Sequence, residues 1–193
     1  MTFPQPIKPD TRLDTPQEAC GVVGVYAPGE DVARLTFFGL FALQHRGQES
    51  AGIAVTDGNT IRIVTSMGLV AQSFREDDLE RLTGHIAIGH TRYSTAGSSL
   101  LCNAQPILAN GPYGELALGH NGNVVNAVEL RDELLEWGCK FSSTTDSEVL
   151  AQILANAPGL DLRDRIRYMM RRVQGAYSLT IMTNDSLIAI RDP

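Results

Sequence analysis

The sequence predicts an α+β fold, and two observations carry that reading. Apolar runs with strand character come in neighbouring pairs joined by short turn signals, as at 50–56 and 60–66 and again at 176–183 and 186–191. Segments with helical periodicity instead gather in the second half, at 127–137, 147–156 and 162–173. Strands grouped with strands and helices with helices describe α+β rather than an alternating parallel α/β chain. The 193 residues suit one domain with a sizeable core. Hydrophobic residues at 43% and charged residues at 20% are ordinary for a globular chain. A net charge of −6 argues against a nucleic-acid partner, which would demand a basic excess. No apolar run approaches a membrane span. Three scattered cysteines make no disulfide framework and fit a reducing compartment, so the cytoplasm is expected.

Residues 1–19 differ from everything that follows. They hold four of the nine prolines and only scattered large apolar residues (Met1, Phe3, Ile7, Leu13). Such a segment buries too little surface to fold alone, and it lacks the apolar centre of a secretory signal. It reads as a tail or a propeptide, with the folded domain spanning 20–193.

The domain opens on Cys20-Gly21-Val22-Val23-Gly24-Val25-Tyr26, small and β-branched residues ending at the turn Ala27-Pro28-Gly29. The run reads as a buried strand headed by a cysteine. Loss of residues 1–19 would place a thiol and a free α-amino group on one residue, a nucleophile with its own base. The competing reading is a core cysteine, since free cysteine is among the most buried residue types.

Asp31 is positioned to cap a helix over 32–44, VARLTFFGLFALQ. It is apolar nearly all round and is therefore expected to be covered on two sides, by the sheet and by a neighbouring domain or subunit. Gly39 in its middle costs about 1 kcal/mol relative to alanine, which close packing would justify. The polar loop His45-Arg46-Gly47-Gln48-Glu49 follows. Asp57-Gly58-Asn59 then joins the 50–56 and 60–66 strands as a hairpin. A short acidic helix is expected at 76–82.

Two later strands, 85–93 and 115–122, run from apolar to polar and end in candidate chemistry. In the first, alternation places His90 and Arg92 on one face. The Arg92 guanidinium is a planar fork suited to a carboxylate, or else one half of a surface ion pair. The second ends in Asn121-Gly122. A side-chain amide beside a backbone N–H can stabilise an oxyanion, yet the same dipeptide is a common turn. Thr145-Asp146-Ser147-Glu148 has capping-box spacing, so Asp146 is explained by a helix N-terminus and could equally hold an ammonium group. On the last helix, Leu162, Ile166, Met169, Met170 and Val173 form a core stripe, and five arginines around it are expected to be solvated. The histidines and cysteines lack zinc-ligand spacing, so no metal is assigned. Taken together, a thiol, a carboxylate clamp, an oxyanion donor pair and an ammonium acceptor describe acyl transfer from glutamine.

CGVVGVY, LQHRGQESAGIAV, GHTRYSTAG, Asn103-Ala104-Gln105-Pro106, LGHNGNVVNAVELR and TTDSEVL stand in the order in which similar motifs occur in class II glutamine amidotransferases. The chain resembles that family over residues 18–193. The resemblance implies an N-terminal-nucleophile hydrolase fold, a four-layer α/β/β/α sandwich of two antiparallel sheets between helices. It also implies self-cleavage to expose Cys20, although similar leaders often end in two acidic residues and this one ends Glu18-Ala19.

Carried over by position, Cys20 is the nucleophile, and Asn121 and Gly122 form the oxyanion hole. Arg92 holds the glutamine α-carboxylate and Asp146 its α-ammonium. Arg46 and Gly47 lie in a loop closing around L-glutamine, and Thr95 lines the site. The resemblance is strongest to members that continue into a phosphoribosyltransferase domain and deliver ammonia to phosphoribosylpyrophosphate in purine synthesis. In those, Mg2+ and, in some relatives, an iron–sulfur cluster belong to the C-terminal part, none is expected in this part, and the whole assembles as a homo-oligomer (tetramer). The alternatives are the glutaminase domain of glucosamine-6-phosphate synthase, whose loop tends to carry tyrosines around Arg-Gly, and an unprocessed, inactive module.

Overall fold

The computed structural model describes residues 20–93, 99–159 and 161–192. Two four-stranded sheets, antiparallel throughout, lie face to face. The first has the order β1 (Gly21–Tyr26), β4 (Ile86–Arg92), β2 (Ser50–Thr56), β3 (Ile61–Met67). The second runs β5 (Ile107–Gly111), β6 (Gly114–Val124), β7 (Gly175–Met182), β8 (Leu187–Arg191). β1 and β4 cross over β6 and β7. Helices α1 (Val32–Ala42), α2 (Val70–Ser73) and α3 (Glu76–Arg81) cover the first sheet, and α4 (Ala127–Glu136), α5 (Asp146–Asn156) and α6 (Leu162–Arg172) the second. The expected α/β/β/α sandwich is therefore the observed architecture.

Strand alternation sorts the core into three layers. Ala51, Ile53, Val55 and Ala87 meet Val32, Ala33 and Leu40 of α1. Ala54, Ile86, Ile88, Ala117 and Met182 fill the space between the sheets. Leu116, Leu118, Leu179 and Ile181 pack against Leu150, Ile153 and Leu154 of α5. Residues of one strand that differ by one thus face different layers, which decides where each site residue points.

Most sequence expectations hold within one or two residues. Gly39 does sit where the chain must pass closely, since a Cβ there would lie 3.1 Å from Val23 Cγ1. Several expectations need correction. Residues 107–111 form β5, a strand hidden in the sequence because it is short and ends in the turn-like pair Asn110-Gly111. The first helix ends at Ala42, and Gln44–Arg46 turn as a separate 3-10 segment. As expected of a helix with one side left for a neighbouring domain or subunit, its outer face is exposed among the described residues: Leu35, Phe38 and Phe41 are 45%, 63% and 51% exposed. On α6 the arginines are not simply solvated. Arg165 is buried, donates from Nη1 to Leu154 O at 2.8 Å and stacks over the Tyr113 ring, while Arg172 pairs with Glu133.

Candidate active site

Cys20 lies immediately before β1, opposite the end of β4. Its Sγ accepts a hydrogen bond from Tyr93 N at 3.4 Å and lies 3.6 Å from Tyr93 O. Burial pushes the thiol pKa up, opposed by the Tyr93 backbone contact and by Arg92. The thiol is half-buried, between a core cysteine and an exposed one. Arg46 Nε donates to Cys20 O at 3.3 Å, fixing the residue from its backbone side.

Gly47 is buried beneath Arg92. A Cβ there would meet the Arg92 carbonyl carbon at 2.6 Å, so the close approach requires glycine. Gly47 O accepts from Thr91 Oγ1 at 2.6 Å, and Glu49 N donates to Arg92 O at 3.0 Å. The loop thereby splices onto the end of β4. Arg92 is only 7% exposed, and its Nη1 is paired with Glu49 Oε1 at 2.6 Å. It is an ion pair, as one sequence reading had it, but a nearly buried one with guanidinium donors beyond Nη1. Glu49 was missed by sequence reasoning, because a carboxylate 43 residues away signals nothing until the strands pair.

On the second sheet Asn121 and Gly122 are not a turn. They are strand residues of β6 in register with Ser178 and Tyr177 of β7. Gly122 has φ +154, and a Cβ would lie 2.1 Å from Ala176 O, which explains glycine there. Gly119 faces the first sheet, its missing Cβ pointing at Val22 and Gly89. By alternation Asn121 faces the same way. Cys20 shares the face of Val22, and Arg92 that of His90, whose Nε2 reaches His120 O across the gap at 2.9 Å. Cys20, Arg92 and Asn121 thus converge on the space between the sheets.

Asp146 opens α5. Thr145 Oγ1 caps the helix by accepting from Glu148 N at 3.3 Å. The capping box is only half made: Glu148 instead accepts from the backbone N–H and hydroxyl groups of Ser142 and Ser143, at 2.6–3.0 Å. Asp146 stands in the first turn of α5, where an acid suits the helix N-terminus, and the cap itself is made by Thr145. Its Oδ2 accepts from Val124 N at 2.9 Å, two residues past Gly122, and Oδ1 lies 3.8 Å from His120 Nδ1. The carboxylate keeps an exposed edge, with acceptor capacity for a cation. Thr95 lies outside the described residues. Among the described residues no group of three or more His, Cys, Asp or Glu could hold a metal ion, and no helix is long and apolar enough to cross a membrane.

This fold is that of N-terminal-nucleophile glutamine amidotransferases. Residues 90–193 match the family model described as a glutamine amidotransferase domain, and the chain belongs to that family. It is 55% identical over 184 residues to an amidophosphoribosyltransferase of Synechococcus elongatus, covering 94% of this chain and 37% of that protein. With the amidophosphoribosyltransferase of Mycobacterium tuberculosis it shares 49% over 193 residues, 96% of this chain and 37% of the relative. The structure of glutamine phosphoribosylpyrophosphate amidotransferase from B. subtilis, complexed with ADP and GMP, superposes with TM-score 0.80 at 39% identity. That match covers 89% of this chain and 37% of the other. The chain thus spans little more than a third of the length of these relatives.

Proposed function

We propose that this chain is the glutamine-hydrolysing part of an amidophosphoribosyltransferase. The Cys20 thiol attacks the side-chain amide carbon of L-glutamine, and the displaced electron pair moves onto the amide oxygen. The Asn121 side-chain amide and the Gly122 N–H receive that charge. The α-amino group of Cys20, freed by loss of residues 1–19, takes the thiol proton and passes it to the departing ammonia. A glutamyl thioester remains, and water releases it as glutamate. Arg92 binds the substrate α-carboxylate and Asp146 its α-ammonium, while Arg46 and Gly47 close the pocket wall. The observation that carries this reading is that Cys20 sits against the end of β4, while His90, two residues before Arg92 on the same face, bonds across to β6 one residue before Asn121, with Asp146 bonded to that strand just beyond.

The chemistry of the free terminus supports removal of the leader. While Ala19 is joined to Cys20, that nitrogen is a planar amide with a delocalised lone pair, unable to accept the thiol proton. Released, it has a reference pKa of about 7.7–8.0 beside a thiol of about 8.5, so transfer is nearly balanced. A positioned base contributes about 10²–10⁴-fold in rate.

In the longer protein, ammonia would pass to phosphoribosylpyrophosphate in a C-terminal phosphoribosyltransferase domain. Mg2+, any iron–sulfur cluster and homo-oligomer contacts belong to that reading of the whole protein, in the cytoplasm. This chain requires no cofactor for its own half-reaction.

Mass spectrometry of the intact chain, paired with a glutaminase assay, tests the proposal. Activity should appear in step with loss of residues 1–19. Cys20→Ala should abolish both turnover and labelling by electrophilic glutamine analogues, and should keep its leader. A chain verified to retain Met1 through Ala19 that hydrolyses glutamine as fast as the trimmed form would overturn the N-terminal-base mechanism.

A further inference from the structure

The main-chain pairing of β5 with β6 ends at Ile107 opposite Leu118. Continued two residues further, that register would bring residue 105 opposite His120. The backbone does not continue it. The carbonyl of Gln105 turns onto the first sheet, so close to Gly52 that a Cβ there would lie 2.2 Å from it. The Gln105 side chain takes the place of the missing strand. His120 N donates to Gln105 Oε1 at 2.7 Å, and Gln105 Nε2 donates to His120 O at 3.3 Å. A primary amide has the donor and acceptor of a peptide group, so one side chain completes one rung of a β-ladder. Gln105 is 4% exposed and His120 2%. His120 O also accepts from His90 Nε2 of β4, and His120 Nδ1 meets Ser147 Oγ of α5 at 3.0 Å.

We propose that Gln105 is a positioning residue for the oxyanion hole: its side-chain amide, acting as a surrogate strand, holds the His120 peptide and so the direction of Asn121 and Gly122. The inference rests on the glutaminase reading of this site. Its physical basis is local. β7 secures one edge of β6 here, whereas on the other edge the main-chain ladder has already ended. Without Gln105 the His120 N–H would be a buried donor with no partner, and the strand would shift to find one. Donors aimed at an oxyanion act only when correctly directed, so a small displacement costs transition-state stabilisation rather than glutamine affinity.

The test uses the chain with its leader removed and compares wild type with Gln105→Leu and Gln105→Glu. The glutamate keeps the shape and the acceptor for His120 N but, ionised, has no donor for His120 O. Gln105→Leu should lower kcat for glutamine hydrolysis about 10-fold or more, with KM within about twofold. Gln105→Glu should fall between. The rate at which a small haloacetamide alkylates Cys20 should be unchanged in both, since the thiol sits on the other sheet. A fall in alkylation alongside kcat would indicate general loosening and overturn the assignment, as would kcat within about twofold of wild type. Hydrogen exchange on the wild-type protein gives a check that needs no variant. The His120 amide should be protected like a ladder amide, and rapid exchange there would sink the proposal. A wild-type chain that does not hydrolyse glutamine would instead refute the glutaminase reading, with the His120 exchange result still standing on its own.

Discussion

The two halves of the site are built by different means. On the first sheet the polar support is ionic: Arg92 is held by Glu49, and Arg46 grips the Cys20 backbone. On the second sheet the groups that hold the His120 peptide are neutral, and the charged Asp146 of α5 bonds β6 further along, at Val124 N. Gln105, His90, His120 and Ser147 hold β6 through amide, imidazole and hydroxyl groups, all at most 4% exposed. The difference follows from what each half must present. A carboxylate clamp has to remain charged, and a partly buried guanidinium stays in place best beside an anion that leaves its other donors available. An oxyanion hole presents dipoles, and neutral hydrogen-bonding groups on the strand before it aim them. Where the clamp needs charge the fold supplies a counter-charge, and where it needs direction the fold supplies hydrogen bonds.

The comparison is broken most sharply at Asn121. Asn121→Ala should lower kcat about 10²–10³-fold, the usual cost of one oxyanion donor, and leave KM nearly unchanged. Steady-state kinetics on the trimmed chain decide it, and a change confined to KM would make Asn121 a binding residue instead.

A smaller effect, of the opposite kind, is expected from the charged half. Arg92→Ala should weaken glutamine binding by about 1.5–3 kcal/mol, roughly 10- to 150-fold, through loss of a charge-assisted contact. Asp146→Asn should act in the same direction through the ammonium, while its remaining amide oxygen still accepts from Val124 N. Calorimetric titration of glutamine into a Cys20→Ala chain produced without residues 1–19 reads both. Unchanged affinity in the two variants would remove the clamp assignment.

The smallest effect sharpens the neutral half, and it concerns stability. Burial holds the His90 pKa down, to about 3, and lowers that of His120 as well, although Asp146 opposes the second shift. His90 is neutral in the fold, while in the unfolded chain a histidine binds a proton below about pH 6.5. The unfolded state therefore gains protons first as pH falls. Stability is complete above about pH 6.5 and declines below it, by up to about 1.4 kcal/mol per pH unit for His90, with His120 acting in the same direction. Urea denaturation between pH 7 and 5 should show this slope, and His90→Gln should flatten part of it. An identical slope in that variant would mean His90 is not a neutral buried group.

Part of this site was legible before any strand was paired. The thiol at the head of β1, the arginine at the end of β4 and the Asn-Gly pair on β6 all follow from local pattern: apolar runs of strand period that end in polar residues. The ambiguities that remained were those local pattern cannot resolve. Asn121-Gly122 reads equally as a turn until Ser178 and Tyr177 are found opposite it. Thr145 and Glu148 have the spacing of a capping box, but Glu148 is taken by Ser142 and Ser143, which lie outside the helix. The strand β5 was missed because Ile107–Gly111 is only five residues long and ends in Asn110-Gly111, which reads as a turn, and only its neighbours β6 and α5 make it a strand.

The sequence by itself determined the class of architecture, the strand and helix periods, and the residue types that perform the chemistry, because these depend on contacts within a few residues. Tertiary structure alone decided that Glu49 accompanies Arg92, that His90 reaches across to His120, and that the Gln105 side chain stands in for a strand. Those pairs lie 43, 30 and 15 residues apart. A partner at such a distance leaves no periodic trace: its identity is constrained by one bond in one packed geometry, and that geometry exists only once both sheets have closed on each other.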